Sequence, residues 1–224
     1  MLFRSVANHV LFPEEPPLAF VDTAGCGFEE KHEGTSTTNP EEAALLFRHL
    51  TSLVQELEKR VADFPSIAVI SPYKQQVGIL KELILHNDVL LAHGDKISVN
   101  TIDSFQGQER DVVYISMVRS NSEGQIGFLS DTRRMNVAMT RARKKLVVIG
   151  DSATLSQFPF YAVVKKDAII FLERANGRIN QPADLRRPIN MLLAAIHCLQ
   201  ARQRLIFWSS PLISGVLSKR CRAL

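Results

Sequence analysis

Two apolar runs, Val112–Val118 and Leu146–Ile149, constrain the fold of this chain more than any other feature. Both are nearly continuous rather than alternating, the pattern of strands covered on both faces, as in a parallel sheet. Each sits beside a polar cluster that apolar packing alone does not require. Gln106, Gly107 and Glu109 follow a strand ending near Ile102, and Arg141 and Arg143 lie between a short helix and the strand Leu146–Ile149. A strand delivering a loop of Gly, amide, carboxylate and guanidinium predicts a phosphate site at the carboxyl edge of an α/β sheet.

The rest of the chain repeats the strand–helix rhythm. Leu18–Asp22, Ser66–Ile70 and Ile97–Ile102 read as further strands. Asn39-Pro40-Glu41-Glu42 opens a helix, with Asn39 as N-cap, Pro40 at the first helical position and acids suited to the helix dipole. Ala43, Leu46, Phe47, Leu50, Leu53, Val54 and Leu57 then follow the 3.6-residue period. Helices are also predicted over Lys74–His86 and roughly Thr132–Thr140, with His32–Thr38 as a polar linker and Ser120–Ser130 as a polar loop. Alternating strands and helices predict an α/β fold with right-handed crossovers.

Charge divides the chain. The net +4 conceals −4 over residues 1–161, with 16 Lys+Arg against 20 Asp+Glu, and +8 over 162–224, with 11 against 3. The basic character thus belongs to the C-terminal tail, which contains no acid after Asp184. The expected organisation is an N-terminal remnant over 1–17, an α/β domain over 18–160 and a basic tail over 161–224. Two readings of the tail stand side by side: a basic arm for nucleic acid, or the product of a shifted reading frame. Cys26, Cys198 and Cys221 show no CxxC pairing, so neither a zinc site nor a disulfide framework is indicated. No run reaches the roughly 18 apolar residues of a membrane span, and a cytoplasmic location with no membrane partner is the expectation.

Three segments carry chemistry. In Thr101-Ile102-Asp103-Ser104-Phe105-Gln106-Gly107-Gln108-Glu109, Gly107 permits close backbone approach to a ligand. Glu109 offers acceptors to ribose hydroxyls, and Thr101 and Ser104 offer hydroxyls to a nucleic-acid phosphate. Taken alone, the same string also reads as a helix-capping loop with an exposed acid. In Asn136–Arg143, Arg141 and Arg143 suit bidentate phosphate contact, or equally a solvated basic cluster with Arg133, Arg134, Lys144 and Lys145. Ser71-Pro72-Tyr73 offers a hydroxyl and an aromatic to a strand of nucleic acid, or a turn with Tyr73 packed as core.

The order and spacing of the three together are far more specific than any one. SPYKQQ, TIDSFQGQERD and NVAMTRARKKLVVIGD resemble motifs IV, V and VI of the second RecA-like motor domain of superfamily 1 helicases, in the nonsense-decay (NAM-like, AAA_12) branch. The resemblance covers roughly Leu18–Pro159. It implies a RecA-like parallel sheet with helices on both faces. It implies Arg141 as an arginine finger, Arg143 as a supporting cation, and Glu109 at the nucleotide ribose with Gln106 and Gly107 forming the nucleotide-facing turn. Thr101, Ser71 and Tyr73 would lie on the nucleic-acid side. The implied cofactors are ATP and Mg²⁺, and the implied partner is single-stranded DNA or RNA.

The family's P-loop has no counterpart in this sequence, which contains no GK[ST] string. The Lys and Mg²⁺ ligands that hold the β- and γ-phosphates are therefore expected on a P-loop-bearing first motor domain. The expectation is the C-terminal motor half of an ATP-dependent helicase, inactive alone. The alternative is a non-enzymatic nucleic-acid-binding or scaffold module.

Overall fold

The computed structural model describes residues 11–12, 17–34, 36–105, 108–167 and 169–171. Six strands run parallel: β1 (Leu18–Asp22), β4 (Ile67–Ser71), β5 (Ile97–Thr101), β6 (Arg110–Ser116), β7 (Ala142–Gly150) and β8 (Ile169–Phe171). They form one sheet in the order β5-β4-β6-β7-β1-β8. Successive residues of a strand point to opposite faces, and here both faces are apolar. Val112, Tyr114, Val147 and Ile149 pack with the helices α1 (Pro40–Arg60), α2 (Lys74–Leu85) and α3 (Asp88–Leu91) on one side. Val113, Ile115, Leu146 and Val148 pack with α4 (Thr132–Met139), α5 (Ser152–Leu155) and α6 (Pro159–Asp167) on the other. This is the expected RecA-like α/β sheet.

The long helix α1 begins where its signals place it. Asn39 is the N-cap, its side-chain oxygen accepting from the Glu42 N–H at 2.9 Å, and Pro40 opens the helix. Leu46, Leu50, Leu53, Val54 and Leu57 lie on its buried stripe. Each fully buried leucine contributes about 1.5–3 kcal/mol. The helix ends with Lys59 and Arg60 in its last turn and an extended Val61, cations that suit the negative end of the dipole.

Two elements differ from expectation. Lys31–Glu33 and Ser36–Thr38 form an antiparallel ribbon, β2 and β3, where the sequence predicts a polar linker. Polar side chains hide this strand pair, but Thr37 and Thr38 are buried and β-branched residues suit strands. At the other end, α6 and β8 carry the fold past residue 160, with β8 adding a parallel strand to β1 through Ala19↔Ile169, Phe20↔Ile170 and Val21↔Phe171. The remainder of the expected tail, 172–224, and most of the expected N-terminal remnant lie outside the described residues. Among the described residues, no helix is long and apolar enough to cross a membrane.

Strand polarity sorts the candidate residues. Asp22 pairs with Gly150 and Ser71 with Thr101, so these residues mark the carboxyl edge of the sheet. Arg110 pairs with Ala142 at the opposite, amino edge. Glu109, Arg141 and Arg143 therefore lie at the amino edge, which corrects the expectation of a carboxyl-edge phosphate site. The physical reason is the parallel connection. After β5 the chain must return across the sheet before β6 can run in the same direction, about 17 Å for a five-residue strand, so Glu109 is carried to the start of β6.

Candidate functional site

At the amino edge the chain brings Glu109 and Arg143 together. Arg143 Nε donates to Glu109 Oε2 at 3.0 Å, and both side chains remain partly exposed. A register shift in the β6–β7 pairing falls between Arg110/Ala142 and Val112/Lys145, so β7 carries one extra residue at this point. Such bulges re-aim side chains at sheet margins, and this one involves Arg143 and Lys144. The Arg110 N–H donates to the Arg141 carbonyl at 2.9 Å, fixing the backbone of the two polar segments to each other. Lys144 Nζ stands 3.3 Å from Asp111 Oδ1. Burial alone would raise the Asp111 carboxyl, but hydrogen bonds from Ser66 and the Lys144 charge outweigh it and hold the carboxyl below its usual range.

In this cluster the ion pairs of Arg143 and Lys144 are with Glu109 and Asp111, while Arg110 spends its guanidinium on the Gln108 side chain and the Glu109 carbonyl. Arg141 Nε is buried with no hydrogen-bond partner, and so is Asn136 Oδ1 in the same motif. A buried N–H left unmade costs about 1–3 kcal/mol, so Arg141 has unused capacity for an anion. This donor set fits the phosphates of a nucleotide. Among the described residues, no group of three or more His, Cys, Asp or Glu could hold a metal ion. Gln106 and Gly107 lie outside the described residues.

Ser71, Tyr73 and Thr101 stand at the carboxyl edge, the length of a strand away. Ser71 is fully buried, and its hydroxyl accepts from the Tyr73 N–H at 3.4 Å. Thr101 Oγ1 and Ser104 Oγ share a hydrogen bond at 3.0 Å. Tyr73 is almost buried, yet it lines an open cleft of ≈530 Å³ with Thr37, Arg119, Phe128, Asp131 and Arg134. Burial raises the Tyr73 phenol despite the nearby Arg119 guanidinium.

Arg119, which lines that cleft, directly follows a residue in an unusual turn. Val118 has φ +71°, a conformation rare and costly for a β-branched residue. The Arg119 N–H donates back to the Met117 carbonyl at 2.8 Å, closing a γ-turn of the rare, strained kind. Two buried carboxylates hold it. Glu42 accepts from the Val118 N–H at 3.0 and 3.1 Å and from Ser116 Oγ at 2.5 Å. Glu30 accepts from the Ser120 N–H at 2.9 Å and lies 2.9 Å from Arg119 Nε, a contact by charge rather than a linear hydrogen bond. Gln76 links Ser116 to the backbone of Asn39, and Asn39 Nδ2 donates to the Val118 carbonyl. Glu42 is fully buried, and this burial pushes its carboxyl up to about 7 against those hydrogen bonds. Strain retained by so many partners is characteristic of functional positions.

Sequence reasoning gives no site role to Glu30, Glu42, Arg119 or Phe128, and it places Arg134 only in a basic cluster. Glu42 carried one signal, its place three residues after the N-cap, where a capping-box acid reaches back to the cap N–H. Here Gln76 takes that N–H and frees Glu42 for β6.

The AAA_12 profile, an AAA domain, matches residues 4–153. The chain is 39% identical over 146 residues to the DNA-binding protein SMUBP-2 of Rattus norvegicus, covering 64% of this chain and 14% of that protein. It is 43% identical over 147 residues to the DNA polymerase alpha-associated DNA helicase A of Saccharomyces cerevisiae, covering 63% and 20%. It is 35% identical over 150 residues to the DNA replication ATP-dependent helicase/nuclease DNA2 of Homo sapiens, covering 66% and 13%. These three matches therefore span a fifth or less of each relative.

Proposed function

This chain belongs to the AAA_12 family of superfamily 1 helicases, and from that premise we propose that it is the C-terminal motor half of an ATP-dependent helicase. Its role is to complete an ATP site whose phosphate-cradling Lys and Mg²⁺ ligands belong to a P-loop-bearing first motor domain. The observation that supports this reading most is the amino-edge cluster. Arg141 presents a guanidinium with an unpartnered buried Nε, beside the Arg143–Glu109 pair. When ATP is bound across the two domains, it supplies the γ-phosphoryl group that water attacks. Arg141 stabilises the negative charge spread over that group in the transition state, as an arginine finger does. Arg143 adds positive potential and orients Glu109 toward the ribose hydroxyls. The carboxyl edge, with Tyr73 and Thr101, faces single-stranded DNA or RNA. The two edges are separate, so nucleotide-driven movement at one is transmitted to the strand at the other by the rigid sheet.

The test uses the purified 224-residue chain, alone and in place of the corresponding segment of the 43%-identical yeast helicase. Alone, with or without single strands, it is expected to hydrolyse no ATP. In the hybrid, strand-stimulated hydrolysis is expected, and Arg141→Ala should reduce its kcat by about a thousandfold or more. Robust hydrolysis by the chain alone, or a hybrid indifferent to Arg141→Ala, would refute the assignment. Strand binding with no ATP response in either form would instead favour a binding module without chemistry.

A further inference from the structure

Phe128 is the one aromatic among the described residues that combines large exposure with a place on the cleft wall. It is 57% exposed, although burying such a ring is favourable by about 1.5–3 kcal/mol. Its ring stands edge-to-face on Tyr73 at 5.6 Å between centroids, within the Gly127–Ser130 turn that follows Ile126. Gly127 has φ +52°, and a Cβ there would sit 2.7 Å from an Arg119 Nη and 3.0 Å from the Tyr73 hydroxyl. The backbone must therefore be bare at this point for the turn to close onto the cleft floor. The result is an aromatic wall beside polar groups in an open cleft of ≈530 Å³.

The remaining lining chooses the ligand. Arg134 Nε lies 3.4 Å from Asp131 and 3.7 Å from Asp103, with its side chain half exposed. Pairs this loose and wet contribute little, so the guanidinium can exchange them for a phosphate. Arg119 is buried against Glu30, with one Nη 3.5 Å from the Tyr73 hydroxyl. Its place is structural, presenting the phenol and guanidinium edges as hydrogen-bonding groups at the floor. An exposed flat ring, fixed polar groups beneath it and a cation at the rim match an unstacked base with its adjoining phosphate.

We propose that this cleft takes one nucleobase of a single-stranded nucleic acid, stacked on Phe128, with Arg134 meeting the neighbouring phosphate. The inference rests on the reading of the domain as a strand-binding motor half and adds to it a base subsite. Phe128 is exposed, so its replacement leaves the core intact.

The test measures binding of oligo(dT), oligo(rU) and an abasic oligodeoxynucleotide of equal length to the full chain. Phe128→Ala should weaken binding of the base-bearing oligonucleotides by roughly 5- to 150-fold, the loss of one stacked base. The abasic strand should bind wild type and Phe128→Ala equally, because it has no base to stack. Phe128→Trp should restore affinity, with its added fluorescence quenched by the base-bearing strands only. If wild type binds strands and Phe128→Ala binds them equally well, the subsite is overturned while the strand-binding reading survives. An equal loss on the abasic strand also overturns it, since the ring would then be serving the backbone. A wild-type chain that binds no strand overturns both.

Discussion

The buried carboxyl of Glu42 makes the stability of this fold depend on pH in a direction opposite to that of most carboxylates. Its pKa is 4.5 in the ordinary case and about 7 in the folded chain, where burial outweighs the hydrogen bonds from Ser116 and Val118. Between these values the folded chain holds a proton that the unfolded chain has released. Stability is then greatest below pH 4.5, as far as this group is concerned, and is lost as pH rises through about 7. The separation of about 2.5 pH units, at about 1.4 kcal/mol each, converts to about 3 kcal/mol. Asp111, whose carboxyl is held low, works in the opposite sense at the acid end, so the effect is read as a difference. Glu42→Gln keeps an oxygen at the Oε1 position, which accepts from both Ser116 Oγ and the Val118 N–H, and removes the ionisation. Urea unfolding of both proteins from about pH 4.5 to 8 should show wild type losing about 3 kcal/mol relative to Glu42→Gln across that range. The variant's new NH₂ takes the Oε2 position, 3.1 Å from a Val118 N–H that still donates to Oε1, so any cost of the crowding is the same at every pH. Parallel stability curves would refute the reasoning, because they would mean the carboxylate is ionised throughout.

Two further perturbations separate architecture from site. Asn39→Ala removes both the N-cap acceptor of α1 and the donor to the Val118 carbonyl. It should lower stability by about 2 kcal/mol in urea unfolding, and an unchanged midpoint would show that Asn39 does not tie α1 to the strained turn. The Glu109–Arg143 pair is partly exposed, so a double-mutant cycle with Glu109→Ala and Arg143→Ala should return a coupling of about 0–1 kcal/mol. A coupling well above that would make the pair a structural element rather than a recognition one.

The sheet is largely legible in the sequence. Val112–Val118 and Leu146–Ile149 announce parallel strands because a strand covered on both faces has no position where a polar residue is cheap. Asn39-Pro40 marks the start of α1 because its cap chemistry is local. The ribbon Lys31–Thr38 was not legible, since its pairing depends on tertiary burial of threonines rather than on an apolar run. The strand β8 likewise lies in a stretch whose composition had already departed from the α/β pattern.

For the proposed site, residue type and spacing single out Glu109, Arg141 and Arg143 only as candidates, and it is the resemblance in the order of three motifs that suggests phosphate and ribose roles for them. Which edge they occupy was a matter of connection: a parallel crossover returns the chain to the amino edge, and no local pattern records that distance. The same holds for Glu42 and Glu30, whose backbone donors at Val118 and Ser120 come from a turn far along the chain. It holds for Phe128, whose exposure and partner ring come from segments far apart in the chain, meeting only where its ring reaches Tyr73. Side-chain chemistry is written residue by residue, whereas burial, edge and neighbour are properties of the packed sheet.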